Sequence, residues 1–185
     1  MKEAEKQQIL AQAKTARLKP TLDRGELGGI WRQMHAIAEA QYPPAVDFFI
    51  SCLDDIDSNW RLEGIRDLGF HYQFPPDSVI TQKIRQLLLN DPDDSVRIAA
   101  ASILGIRSVW PDPVLRTALS TDPNEFVRHA AFDALLTLAS VPYRVINREM
   151  ERVHKREIPP TFEEVKRIIT EAGIDIKTLL SRIDD

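Results

Sequence analysis

Three residues of types that bind metals lie at regular intervals in a segment that is predicted to be helical. Glu63, Asp67 and His71 are spaced four residues apart, which places them on one face if the helix continues past Gly69. Two carboxylates and an imidazole can bind a divalent metal ion. Four basic residues nearer the N-terminus offer a simpler role, neutralising the carboxylates: Arg17, Lys19, Arg24 and Arg32. We therefore predict no metal and keep the three residues as an alternative.

The sequence offers little for nucleophilic catalysis. His129 and Asp133 stand one helical turn apart and match a base with its orienting partner, but no serine or cysteine lies beside them. We predict a surface hydrogen bond between the two. His35 and His154 stand alone and are expected to be solvated, and Cys52 lies in an apolar run and is expected to be buried. Phosphate loops, paired-cysteine metal motifs and hydrolase motifs are missing, so we expect a non-catalytic protein without a cofactor.

A run of basic residues near the C-terminal end shares one helical face. It consists of Arg144, Arg148, Arg152, Lys155 and Arg156. Such a face can bind phosphates or an acidic protein, which keeps nucleic-acid binding through residues 144–156 as an alternative function. Glutamates interleave with the basic residues, however, and this pattern is typical of intrahelical ion pairs on a solvated face.

Composition limits the choice of partner and compartment. The chain has 185 residues, a net charge of −4 and no large charged block, which argues against non-specific binding of nucleic acid. No apolar stretch approaches the roughly 20 residues that span a bilayer. The first residues are polar and do not resemble a signal peptide. We expect a soluble cytoplasmic protein that does not contact a membrane.

A sequence motif that occurs three times predicts the helices that position these residues. Segments 59–69, 95–105 and 126–136 each carry an arginine near the start of an apolar helix, and the arginines recur about every 31 to 36 residues. An acidic turn precedes each of these helices, and a shorter helix that often begins at proline precedes the turn. Repeats of this length are typical of stacked helical hairpins.

The phrase Asp-Pro-x-x-x-Val-Arg, followed by alanines, resembles the HEAT-like repeat, and in particular the short bacterial form also found in phycobilisome lyase proteins. The match is strong at 91–105 and 122–136 and weaker at 54–69. The resemblance implies an all-α fold, a right-handed α-α superhelix with non-repeat capping helices. It also implies a ladder of turn aspartates and arginines, here Asp91 or Asp94 with Arg97, and Asp122 with Arg128.

We predict a single domain over residues 1–185 with three parts. N-terminal capping helices fill 1–42, with a glycine-rich bend at 25–29. HEAT-like repeats fill 43–140, and C-terminal capping helices fill 141–185.

Two positions on the second helix of each repeat are predicted to lie outside the apolar core, and their residues vary from repeat to repeat. They form a strip on the predicted concave face: Leu62, Arg66, Ile98, Ser102, His129 and Asp133. A varied strip on a repeat surface suits recognition of another protein, so we predict a protein-binding scaffold or adaptor.

The likeness to phycobilisome lyases supplies another alternative. Those proteins attach or detach bilins on phycobiliproteins, so the resemblance implies a bilin lyase-related accessory protein that handles a bilin chromophore. The chain is short for an entire lyase, and its single cysteine is predicted to be buried.

Overall fold

The computed structural model describes residues 1–19 and 24–181. Within these two ranges the chain forms eleven α-helices and one 3-10 turn, with no β-strand, which confirms the all-α prediction. The chain divides into two compact units, Met1–Gln73 and Phe74–Asp185. The single domain over 1–185 stays a prediction.

The first unit contains four helices. In order they are α1 (Glu3–Arg17), α2 (Arg24–Glu39), a 3-10 turn (Pro43–Ala45), α3 (Val46–Cys52) and α4 (Ser58–His71). Helix α2 packs on both α1 and α4, and α3 packs on α4 as a hairpin. Met34, Ile37 and Phe49 are fully buried between these helices. The glycine-rich bend predicted at 25–29 was wrong, because those residues form the first turns of α2.

The second unit contains seven helices. They are α5 (Val79–Asn90), α6 (Asp94–Arg107), α7 (Pro113–Thr121), α8 (Glu125–Leu138), α9 (Tyr143–His154), α10 (Phe162–Glu171) and α11 (Ile176–Ser181). Helices α5 and α6 form one hairpin, and α7 and α8 form the next. Helix α6 packs on α8 while α5 packs on α7, so the two hairpins stack with like helices side by side.

Side chains at the turns start these helices. Asp93, Asp112 and Asn124 precede α6, α7 and α8, and each accepts a hydrogen bond from an amide of the helix that follows. Amides in the first turn have no partner within the helix, so these caps replace the missing acceptors. The cap residues fix where each helix begins and thereby hold the hairpins in register.

Small residues let the second helices of the two hairpins approach closely. Both Gly105 of α6 and Ala134 of α8 are buried at this contact. A Cβ atom added to Gly105 would lie 2.8 Å from the Cα of Ala134, closer than real contacts allow. The packing of α6 on α8 therefore requires glycine at this position.

The C-terminal helices cover the end of the second hairpin. Helix α9 packs on α8, and α10 packs on both α7 and α8. Thr161 caps α10 by accepting a hydrogen bond from the amide of Glu164, and Gly173 follows the helix at a positive φ of 78°. The predicted capping segment 141–185 extends past Ser181, where its last residues lie outside the described range. None of the described helices is both long and apolar enough to cross a bilayer.

Candidate functional site

Three arginines, one in each hairpin, make the same local contacts. Nη1 of Arg61, Arg97 and Arg128 donates to the backbone carbonyls five and six residues earlier in the chain. Each guanidinium thereby satisfies carbonyls in the turn that precedes its own helix. The α3–α4 hairpin shares this pattern with the other two, although its sequence match to the repeat phrase is weaker.

Arg97 also reaches the next hairpin. Its Nε and Nη2 donate to the two carboxylate oxygens of Asp122 at 2.9 and 3.2 Å, and the two side chains are 11% and 6% exposed. The predicted ladder placed the partner carboxylate within the same repeat, which was wrong. The turn of the same repeat offers carbonyl oxygens, and the carboxylate comes from the following repeat.

A second pair joins the first helices of the hairpins. Nε and Nη2 of Arg85 donate to Asp112 at 3.0 and 2.9 Å, and Nη2 also donates to the hydroxyl of Ser108. Asp112 is fully buried and also caps α7. Its carboxylate is therefore satisfied on all sides, as a buried charge requires.

Arg128 occupies the last position of the ladder. Its Nη1 bonds the carbonyls of Asp122 and Pro123 at 2.7 and 3.2 Å, as in the preceding repeat. Its Nε and Nη2, however, make no hydrogen bond or ion pair with a carboxylate among the described residues, and no further Asp-Pro turn follows α8 to supply one. In Arg97 the Nε and Nη2 edge binds Asp122, whereas in Arg128 it has no such partner in the described chain.

The side chain of Arg128 lines a groove of about 650 Å³ between the α7–α8 hairpin and the segment that joins α9 to α10. Apolar side chains form much of the wall, among them Leu119, Ile158 and Phe162. Arg116 lies over the ring of Phe162 at 4.3 Å from its centroid. The buried Trp110 stacks on the same ring at 6.2 Å between centroids.

The groove is positively charged. Arg116, Arg128 and Arg156 line it together with one carboxylate, that of Glu125. Nη2 of Arg156 lies 3.6 Å from Oε2 of Glu125, and its side chain is 83% exposed. An apolar groove edged by guanidinium groups can bind a segment that combines an apolar side chain with a carboxylate.

His129 lines the same groove, but the surface hydrogen bond predicted between it and Asp133 is not formed. Its Nδ1 is buried with no hydrogen-bond partner in the described chain, and its ring lies 5.1 Å from that of His154. Burial and the nearby His154 lower the pKa of His129. Burial raises the pKa of Asp133, and a hydrogen bond from Thr137 opposes this effect. His154 is exposed, as predicted, but it does not stand alone, because its ring contacts that of His129.

The other predicted strip residues are exposed or half-buried, as a binding strip requires. Ser102 donates to the carbonyl of Ile98 on its own helix, and Arg66 pairs with Glu63. Leu62 is half-buried. Of the six strip residues, His129 alone appears in the lining of the groove.

Most of the predicted basic face is occupied by ion pairs. Arg148 and Arg152 both pair with Glu149, which is 1% exposed, and Lys155 pairs with Glu151. Burial alone would raise the pKa of Glu149, but the hydrogen bond from Arg148 and the two positive charges outweigh it and lower that pKa. Interleaved glutamates on α9 therefore form the intrahelical pairs that the sequence pattern indicates, and Arg144 at the start of the helix is exposed.

The possible metal ligands in the structure differ by one residue from the three that the sequence suggested. Glu63 pairs with Arg66. Asp67 instead contacts His35 of α2, and Nδ1 of His35 lies 3.0 Å from Oδ1 of Asp67. Candidate ligand atoms of His35, Asp67 and His71 all lie within 4.8 Å of one another. His35 is exposed, as predicted, but it does not stand alone, because α2 packs on α4 and brings it to Asp67.

Burial controls the charge of this cluster. It raises the pKa of Asp67 to about 6, against the lowering effects of the hydrogen bond and charge of His35. Burial and the charge of His35 lower the pKa of His71, while Glu39 raises it. The sequence suggested that nearby basic residues neutralise these carboxylates, but His35 was not among them. Arg17, which was among them, pairs with Asp55 and not with Glu63 or Asp67.

Cys52 is buried against α4, as predicted. Burial raises the pKa of its thiol to about 12. A Cβ atom added to Gly64 would lie 2.9 Å from the Cβ of Cys52, so the two helices are in close contact here. The thiol therefore lies within the packing of the α3–α4 hairpin.

Comparison with known families confirms the prediction of HEAT-like repeats for residues 81–142. The family model described as HEAT repeats matches residues 81–142, about a third of the chain. The match runs from the first turn of α5 to the end of α8 and so covers both stacked hairpins of the second unit. This part of the chain is a HEAT-like helical solenoid. No curated protein and no solved structure matches the chain significantly.

Proposed function

We propose that this HEAT-like repeat protein is a non-catalytic scaffold whose groove binds another protein. The bound segment carries an aspartate or glutamate beside an apolar side chain. HEAT repeats present extended surfaces for contact with other proteins, which supports the general role. The choice of groove and segment rests on the contacts of the second unit.

The observation that carries the proposal is the contrast between Arg97 and Arg128. Both guanidinium groups satisfy their own turn through Nη1, but the remaining edge of Arg97 binds Asp122 and that of Arg128 has no carboxylate in the described chain. A bidentate pair of this kind is geometrically specific for carboxylates. A partner that supplies a carboxylate to Arg128 would repeat the contact that already joins the two hairpins.

The apolar part of the groove accounts for the rest of the segment. Phe162 contacts both the ring of Trp110 and the guanidinium of Arg116, so two neighbours fix the position of this apolar side chain in the groove wall. Arg116 and Arg156 add positive charge at the rim. Aromatic and arginine anchors of this type contribute much of the affinity in protein interfaces.

The predicted strip and the predicted basic face each contribute one residue to the proposed binding groove. His129 belongs to the strip and Arg156 to the basic face, and both line the groove. The ion pairs of Arg148, Arg152 and Lys155 leave less free charge for phosphates, which argues against nucleic-acid binding. The finer likeness to phycobilisome lyases stays a prediction.

The test is selection of peptides from a random display library by the full chain, followed by affinity measurements on the selected peptides. We expect the peptides to share an acidic residue next to an apolar one. Arg128→Met, which keeps the aliphatic stem, should weaken their binding by about tenfold or more, because a charged hydrogen bond is lost. Arg156→Met tests the rim without disturbing any turn, and Glu125→Gln should leave binding equal or tighter.

Arg144→Met is the matched control, since it removes the same charge from an exposed site that does not line the groove. Equal loss in the Arg128 and Arg144 variants, or selected peptides without acidic residues, would refute the proposal. Salt-sensitive binding of duplex DNA that Arg144→Met abolishes would favour the basic face of α9 instead.

A further inference from the structure

We propose that His35, Asp67 and His71 form a binding site for one divalent transition-metal ion, a site that joins α2 to α4 in the first unit. The site does not depend on the groove of the second unit. It replaces the ligand set suggested by sequence spacing, because His35 takes the place of Glu63.

The donor set is the first argument. Two imidazoles and one carboxylate suit zinc and its neighbours in the first transition row, whereas magnesium and calcium prefer oxygen ligands alone. Asp67 and His71 stand one turn apart on α4, and His35 comes from the facing helix. Ligands from two packed elements can enclose an ion that one helix alone would leave exposed.

Distances are the second argument. Nδ1 of His35 and Oδ1 of Asp67 are already 3.0 Å apart, and all three ligand atoms lie within 4.8 Å of one another. Zinc with bonds of about 2.0 to 2.2 Å holds its ligand atoms roughly 3.3 Å apart. The side chain of His35 is 60% exposed and is free to adjust, so the cluster needs only a small contraction around an ion.

His71 supplies the third argument. Its Nε2 is buried and has no hydrogen-bond partner within the described residues, and its ring lies 4.7 Å from that of His35. A structural ion pair between His35 and Asp67 would account for those two residues but would not require a third, unsatisfied nitrogen beside them. A buried polar atom without a partner is unfavourable unless something binds it.

The coordination leaves room for a further ligand. Three protein ligands do not complete a tetrahedral site, and the exposed side of His35 opens the remaining position to solvent. We expect a water molecule to fill that position, as in other open zinc sites.

The experiment uses the full chain, treated with a chelator and dialysed, and titrated with Zn²⁺ or Co²⁺ alone. We expect one equivalent per chain by calorimetry and elemental analysis, and a Co²⁺ visible spectrum typical of low coordination number. Metal should also raise the melting temperature, since it binds the folded state. His35→Gln should weaken Zn²⁺ binding at least about tenfold. Circular dichroism checks that this variant, changed at an exposed position, is folded.

His154→Gln is the matched control, because that exposed histidine contacts another histidine, His129, but belongs to no group of three possible metal ligands among the described residues. It should leave Zn²⁺ affinity unchanged. Asp67→Asn provides a second test within α4 and should also weaken binding. Failure of the wild type to bind one equivalent, or equal affinity in wild type and His35→Gln, would overturn the proposal. Loss of the ion in His154→Gln alone would move the site to the second unit and refute it too.

Discussion

Arg97 binds Asp122 through two N–H groups across the boundary between consecutive hairpins, with both side chains almost withdrawn from water. The same arginine satisfies the carbonyls of its own turn. One residue thus serves as a contact within its repeat and as a link to the next. The pair accounts for the position of the arginine in the repeat phrase.

Asp122→Asn tests this link. The amide keeps the size of the side chain but leaves the guanidinium of Arg97 without its charged partner, so the free energy of unfolding should fall by about 2 to 4 kcal/mol. Urea denaturation followed by circular dichroism measures the change. Asp77→Asn, at an exposed turn position, is the control and should change stability by less than about 0.5 kcal/mol. Equal stability of the two variants would mean that the pair contributes nothing net.

Gly105→Ala tests the contact between α6 and α8. The added methyl group would meet the backbone of Ala134 at 2.8 Å, so the helices must separate at a cost of about 1 to 3 kcal/mol. Gly28→Ala is the opposite case, because a Cβ atom there meets nothing within 4 Å. Since alanine favours helix over glycine, that variant should hold or gain up to about 1 kcal/mol. A stabilised Gly105→Ala protein would contradict the packing described.

Glu149→Gln tests the buried acceptor of Arg148 and Arg152. The pKa of Glu149 in the folded protein is lowered from its ordinary value of 4.5, so its ionised form stabilises the fold. That contribution is complete above about pH 4.5 and is lost as the pH falls through the lowered pKa of the folded state. The variant should therefore be less stable than wild type at pH 7 and approach it towards pH 3.

Denaturation at several pH values between 3 and 7 provides the comparison. Glu151→Gln is the matched control on the same helix, because its pair with Lys155 is exposed and screened by solvent and should contribute little to stability. A stability difference between wild type and Glu149→Gln that stays constant over this range would count against the ionic role.

Cys52 offers a prediction about reactivity. With its pKa raised to about 12, the thiol is protonated throughout the range from pH 7 to 9, and its burial blocks access. An aromatic disulfide reagent should react with it in denaturant and very slowly in the native protein. Rapid native labelling would show that the α3–α4 hairpin opens easily.

Sequence reasoning predicted the hairpins well because their arginines, alanines and turn aspartates recur at a regular spacing. It missed the role of His35, since that residue lies 32 positions before Asp67 on another helix and no periodicity connects them. The unpaired edge of Arg128 left a signal in the sequence: the Asp-Pro turn that would supply its carboxylate does not recur after α8. The groove itself depends on how the chain returns after α9, which local patterns do not encode.

The links between the two stacked hairpins join residues that are near one another in the chain. Arg97 and Asp122 are 25 positions apart, and Arg85 and Asp112 are 27 apart. Such contacts require only short loops to close during folding, so we expect a small entropic barrier and fast folding of these hairpins. Either hairpin is able to form first and act as a template for the other, and loss of one link should slow this propagation without abolishing it.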